Sequence, residues 1–383
     1  MMPDNENLLH LSADQLADLY HECTVGLNQQ PNDREAERER LRALRRRIYE
    51  RFRERKRAET SAHRHALVVG FVGRHNSGDE MMLEMHLQIL RGLGFDDVDI
   101  WTDLTDDVAD YYHPLYWTPR TPYELVVLGG GGLDIGFGFH QAFLAKLCFG
   151  AKVVLSSVNL PSDDERYLTT LETLCDLVIT RNPLEYERLK QRLPGLRFLQ
   201  DVSTLHCPRP AVRDRSRIAM VVRNEPETVL RFAPEEPFDV LVLSRNDRTI
   251  SSGYARQFGG CLVPLWHRDP REHVDVLAGY SRVISAGRFH AALWGALHCE
   301  DYAFLFPAYY KRLSPAIRGI SGRLSWRQIQ VVAAHHTIET KVGLAADRLR
   351  AYGMATEEAY RSSIAGVLGK RPERPSSPAP GTN

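Results

Sequence analysis

No stretch of this sequence approaches the ~18 to 20 consecutive apolar residues needed to span a bilayer. Its start, Met1-Met2-Pro3-Asp4, lacks the basic and then apolar segments of a signal peptide, so the chain reads as cytoplasmic. Cysteine is scarce. Cys23, Cys148, Cys175, Cys207, Cys261 and Cys299 stand far apart, with no CxxC pair and no Cys/His cluster at zinc spacing, which excludes a disulfide scaffold and a zinc site. Buried thiols in a reducing compartment are the expectation, and no metal is called for. GxGxxG and Walker patterns are missing too, as is any internal repeat of solenoid period. Net charge is absent as well: 49 Lys and Arg balance 49 Asp and Glu, which gives no global pull toward nucleic acid.

What is present is a globular composition, 43% hydrophobic and 26% charged, on a chain of 383 residues, too long for a single core. Short apolar, β-branched runs alternate with helical patterns: 66–72, 98–101, 124–128, 152–156 and 177–180, then, after the break at Cys207-Pro208-Arg209-Pro210, 217–222, 239–243, 261–265, 282–286 and 302–306. That rhythm implies βαβ units and parallel sheets, hence an α/β fold of two Rossmann-like domains facing a cleft. The expected division is a helical extension over 1–60, a first Rossmann-like domain over 61–210, a second over 211–335, C-terminal helices over 336–370 and a disordered, Pro- and Ser-rich tail over 371–383. Within the extension, Arg38 to Arg57 holds eleven Arg or Lys against three Glu. Its apolar stripe, Leu41, Leu44, Ile48 and Phe52, predicts an amphipathic helix able to meet an anionic membrane peripherally. The interleaved Glu39, Glu50 and Glu54 favour instead a solvated helix that stabilises itself.

In doubly wound sheets, ligands bind beyond the carboxyl ends of the strands. Three motifs fall there. Gly73-Arg74-His75-Asn76-Ser77-Gly78-Asp79-Glu80 joins the first strand to a helix, with Asp79 expected to cap that helix and Asn76 to pin the turn, bringing the backbone of Gly78 close to a ligand. Gly129 to Gly132 follow a buried strand, where Gly130 and Gly131 suit either close packing or contact with a ligand. In Ser285-Ala286-Gly287-Arg288-Phe289-His290, Arg288 offers a planar fork for a carboxylate or phosphate, and His290 offers a proton near neutral pH.

The ordered set HNSGDE, GGGG, Arg181 after 177–180, Arg223 after 217–222, and GRFHA resembles the polysaccharide pyruvyl transferase family over a span from about Val68 to Lys311. The resemblance implies a GT-B-like fold, phosphoenolpyruvate as co-substrate with no further cofactor, and a ketal product on a glycan-like acceptor, lipid-linked or free. By motif position it places the family's catalytic histidine on His290 and the adjacent arginine on Arg288, with donor binding by Arg181, Arg223 and Lys311. Arg74, His75 and Ser77 depart from the family's first loop, and Gly287 precedes Arg288; these differences bear on the acceptor. Phosphoenolpyruvate carries a carboxylate and a phosphate, which several cations can hold without a metal.

Two other functions fit the same sequence. A GT-B glycosyltransferase using a nucleotide sugar needs an acidic ribose clamp late in the second domain, for which Glu300 is the nearest candidate. A non-catalytic binding protein would act through the basic helix of residues 38–57.

Overall fold

The computed structural model describes residues 64–72, 76–95, 97–101, 123–131, 139–160, 164–209, 216–223, 230–305, 320–337 and 357–369, with single positions between 8 and 51. Lys311, Gly132, the loop residues Gly73 to His75 and the tail 371–383 lie outside the described residues.

The first half forms a six-stranded sheet in the order β2-β1-β3-β4-β5-β6, with every neighbouring pair parallel. Its strands are β1 (His65–Val69), β2 (Asp97–Trp101), β3 (Leu125–Gly131), β4 (Lys152–Val158), β5 (Leu177–Thr180) and β6 (Leu196–Phe198). The second half forms a five-stranded sheet, β10-β9-β7-β11-β12, from β7 (Ile218–Val222), β9 (Phe238–Val242), β10 (Cys261–Pro264), β11 (Arg282–Ala286) and β12 (Asp301–Leu305), again all parallel. Chain order reverses beside β1 in the first sheet and beside β7 in the second, the switch points at which doubly wound folds open a crevice. A small parallel pair, β8 (Phe232–Pro234) with β13 (Gly322–Leu324), completes the strands. Two Rossmann-like domains in a GT-B-like layout are the result.

The strands are apolar on both faces because both faces are covered. Leu67, Val69, Val126, Leu128, Val153 and Leu155 face an outer core roofed by α2 (Phe139–Phe149) and α3 (Glu165–Leu174). Ile218, Met220, Val222, Val240 and Ile284 face the corresponding outer core of the second sheet, beside α5 (Arg248–Phe258) and α8 (Trp326–Thr337). The alternate residues, Ala66, Val68, Val127, Val154 and Ile179 from one sheet and Ala219, Val221, Leu241 and Val283 from the other, belong to one continuous core between the sheets. Helix α1 (Ser77–Gly92) fills that space together with α6 (Pro270–Ala278) and α7 (Phe289–His298). Met81, Met82, Leu83, Met85, Leu87, Ile89 and Leu90 are buried around most of its circumference, leaving one more exposed stripe of Glu84, Gln88 and Arg91.

The last helix, α9 (Glu357–Leu368), returns to pack on α1 and β4 of the first domain. The expectation of C-terminal helices over 336–370 is thereby refined: α8 stays with the second half and α9 joins the first. Helix α4 (Pro183–Leu189) opens on Asn182, whose side chain caps Leu184 N–H, with proline in the first turn. In the N-terminal extension Leu44 and Ile48 are buried with Leu8, next to Phe149 of α2, while Arg40, Ala43, Arg47 and Arg51 are exposed; the rest of the 38–57 segment lies outside the described residues. Among the described residues no helix is long and apolar enough to cross a membrane. The expectation of buried thiols holds for Cys299 but not for Cys207 and Cys261, which are exposed; burial pushes the thiols of Cys175 and Cys299 up to about 12.

Candidate functional site

The carboxyl ends of both sheets converge. Beyond β1, Asn76 forms an isolated antiparallel bridge with Ser244 beyond β9, and Ser77 donates both its backbone N–H, at 3.0 Å, and its hydroxyl to the carbonyl of Leu243. The first turn of α1 is therefore fixed to the second domain, and residues following β5, β6, β9 and β11 gather around it.

Helix α1 starts at Ser77, so its N-cap position is Asn76 and not Asp79. The expected capping role of Asp79 is corrected by one helical turn. Asp79 sits inside the first turn, buried, and accepts from the Asn76 side-chain amide at 2.5 Å. Burial raises its carboxyl above the ordinary value, against the opposing influence of His290, Asn76, Arg181 and Arg288. Gly78 makes room for the histidine: a Cβ there would lie 1.8 Å from Nδ1 of His290.

Arg181 follows β5 directly. Its Nη1 lies 2.5 Å from Oδ2 of Asp201 and 3.5 Å from Nε2 of His290, its Nε donates to Asn159, and its guanidinium stacks 4.0 Å over the ring of Phe289. Asp201 follows β6. One oxygen caps the 3₁₀ turn Val202–Leu205 by accepting from Ser203 N–H, and the other lies 3.5 Å from Nε2 of His290. Burial works against a charge on Asp201, yet His290 and Arg181 more than offset it and hold the carboxyl well below the usual carboxylate range. An ionised Asp201 thus orients both the arginine and the imidazole.

Gly287, at φ 88, turns the chain after β11, and Arg288 becomes the N-cap position of α7. Its fork is engaged: Nε and Nη2 bond the two oxygens of Asp247 at 2.6 and 2.7 Å, and Nη1 reaches Oδ1 of Asn76 at 3.4 Å. Arg223 follows β7, with its backbone N–H on Ala286 O and its Nη1 3.5 Å from Gly287 O, next to Arg288.

The glycine run extends β3 instead of forming a loop. Gly129 pairs with Ser156 and Gly131 with Val158. At Gly129 a Cβ would come 2.6 Å from the ring of His86, which bonds Ser156 Oγ at 2.8 Å, and Gly130 takes φ 99; packing and conformation account for these two glycines. Glu300 precedes β12, at the amino end of the strand, whereas every residue of the cluster lies beyond a carboxyl end.

Sequence reasoning brought Asn76, Gly78, Asp79, Arg181, Arg288 and His290 to one place and missed Asp201 and Asp247. An Asp two residues before a serine N–H is a readable turn signal. The charges those carboxylates meet, 20 and 41 residues away, leave no local trace.

No protein-family model and no curated protein matches the chain. Solved structures to which the chain is similar include a UDP-GlcNAc 2-epimerase from Neisseria meningitidis bound to UDP-GlcNAc, at 10% identity and TM-score 0.45 over 80% of this chain and 99% of that one, and the UDP-GlcNAc 2-epimerase from Methanocaldococcus jannaschii, at 6% identity and TM-score 0.44 over 76% and 100%.

Proposed function

We propose that this chain is a transferase acting on a saccharide-like acceptor, with a pyruvyl group from phosphoenolpyruvate as the group moved and His290 as the general acid. The observation that carries this reading is convergence. Arg288 and Asn76, 212 residues apart, meet at 3.4 Å, and Arg181 and His290, 109 residues apart, meet at 3.5 Å, so motifs from three strand ends build one cluster. In the reaction proposed, a proton from His290 is added to the methylene carbon of the donor. One acceptor hydroxyl then attacks the adjacent carbon, and a second hydroxyl displaces inorganic phosphate, giving the ketal. The oxygens lose their two protons, one restoring the acid and the other leaving with the phosphate. The Asp201 carboxylate orients the imidazole throughout.

A specific observation favours a second reading. Asp201 and Asp247 already occupy the arginines, and Asp79 adds a third carboxyl, so the cluster offers acceptors for neutral sugar hydroxyls as much as cations for a trianionic donor. That suits a nucleotide-sugar enzyme. One experiment separates the two: the full chain is incubated with a diol-bearing glycan panel and either phosphoenolpyruvate or UDP-sugars, and products are weighed by mass spectrometry. A ketal mass gain with phosphate release, unaffected by chelator, supports pyruvyl transfer; a hexosyl gain or an altered sugar nucleotide, with no ketal, supports the second reading.

A further inference from the structure

Tyr360 on helix α9 stands 203 residues beyond Ser157 of β4, yet it is fully buried against that strand's carboxyl end. Its hydroxyl lies 2.5 Å from the carbonyl of Gln200 and 2.7 Å from Oγ of Ser157, and Ser157 Oγ lies 2.9 Å from the backbone N of Val202. Donor accounting fixes the direction of each bond. A carbonyl only accepts, so Tyr360 donates to Gln200; its proton is then used, so Ser157 donates to Tyr360; and the N–H of Val202 donates to Ser157. The bonds close a ring around the peptide units on either side of Asp201.

Ser157 meets this geometry at a cost. It is the one described non-glycine residue in the left-handed region, at φ 56, and it sits at a break in register between β4 and β5. A serine kept where glycine would be relaxed implies that its hydroxyl is needed. Ser157 and Tyr360 are both buried, and no element of the proposed chemistry touches them.

We propose that Tyr360 and Ser157 are positioning residues for Asp201, and that the ring closed by the C-terminal helix sets the carboxylate shared by His290 and Arg181. The reading rests on the proposed role of His290. It extends that role by making α9 part of the reacting centre's support, although the helix contributes no group to the centre itself. Buried polar networks in which every member is satisfied specify a unique local structure, and this ring is satisfied throughout.

The test uses the full chain with Tyr360→Phe, Ser157→Gly or Gln88→Ala. The last is a control that removes a contact of the same helix, Gln88 to Glu357, and leaves the ring intact. Amide hydrogen exchange over residues 199–205 is expected to speed up about tenfold or more in the first two variants and to stay constant in the control. Turnover is expected to fall about tenfold in kcat with KM held within roughly twofold, the pattern of a group that acts on the transition state. Ser157→Gly relaxes the left-handed backbone but leaves the Val202 N–H unpaired, effects of opposite sign on stability, so turnover and exchange of all variants are compared well below their unfolding midpoints, which separates positioning from folding. Unchanged exchange in both ring variants, or faster exchange with kcat intact, overturns the proposal. If the wild-type chain turns over neither donor, it is the functional reading that fails. The ring is then judged by the crystal structure of Ser157→Gly: an Asp201 carboxylate displaced from Arg181 is expected, and an unmoved pair overturns the inference.

Discussion

Arg181 and Asp201 form an ion pair at 2.5 Å with side chains only 5% and 2% exposed, so neither charge has water to fall back on. Removing one partner strands the other. Asp201→Ala should cost about 3 to 5 kcal/mol in urea unfolding, the scale for an uncompensated buried charge. Replacing both residues by apolar ones of similar volume should recover most of that loss, and a double variant as unstable as the single one would show that the pair is not the source.

Arg288 supports stability and is proposed to bind the donor, and the two roles can be separated. Its bidentate partner Asp247 is 1% exposed, so Arg288→Ala should lower the melting temperature as well as weaken donor binding by about 2 to 4 kcal/mol. Adding Asp247→Ala removes the carboxylate left without its bidentate partner and should recover part of the melting temperature while donor affinity, read by calorimetry, stays weak. Recovery of both would assign Arg288 to architecture alone.

His290 fits against α1 only because residue 78 lacks a side chain. Gly78→Ala places a Cβ 1.8 Å from Nδ1 and should destabilise by about 1 to 3 kcal/mol. Gly78→Ala with His290→Ala should regain the stability and remain inactive. His290→Ala by itself should lower kcat by about 10² or more with donor affinity nearly intact. Full turnover by that variant at unchanged stability would sink the catalytic role.

Acid should destabilise the fold well before ordinary carboxylates titrate. Burial lowers His86, His273 and His298 to about 4 each, the last with help from His206. Their folded values lie below the unfolded 6.5, so the unfolded chain takes up protons first. The stability they contribute is present above pH 6.5 and is lost as pH falls through about 4, at up to about 1.4 kcal/mol per pH unit for each proton. Asp79 acts in the opposite sense: its raised carboxyl gains stability for the fold as pH drops through its folded value. Urea midpoints at successive pH values between 7 and 4 should therefore decline, and His273→Gln should flatten the slope; a flat profile in the parent chain would contradict the burial argument.

The parallel sheets were legible because runs such as Leu177-Val178-Ile179-Thr180 are buried on both faces and must be continuously apolar. Residues at strand ends were legible for the same reason, since locating a strand also locates the residue after its last position. The three-residue strands β6, β8 and β13 are too short to set up any periodicity. Gly129 to Gly131 read as a close approach to packing or ligand without saying which, because the closeness of His86, 43 residues earlier, is what excludes a side chain at Gly129. Asp201 and Tyr360 escaped for one reason: each matters through contacts with residues remote in sequence, and a single hydrophilic or aromatic residue on an ordinary turn or helix does not announce its partner.

The core that α1 shares with both sheets has a thermodynamic consequence. Met81, Leu87 and Ile89 belong to the same apolar cluster as Val127 of the first sheet, Leu241 and Val283 of the second and Trp294 of α7, so neither half can open without wetting the other's interior. Calorimetry should then show a single endotherm with matching van't Hoff and calorimetric enthalpies, and a separately expressed second half should aggregate. A hinge of wide amplitude between the halves would have to expose this shared core to water, at a cost that grows with the apolar area uncovered.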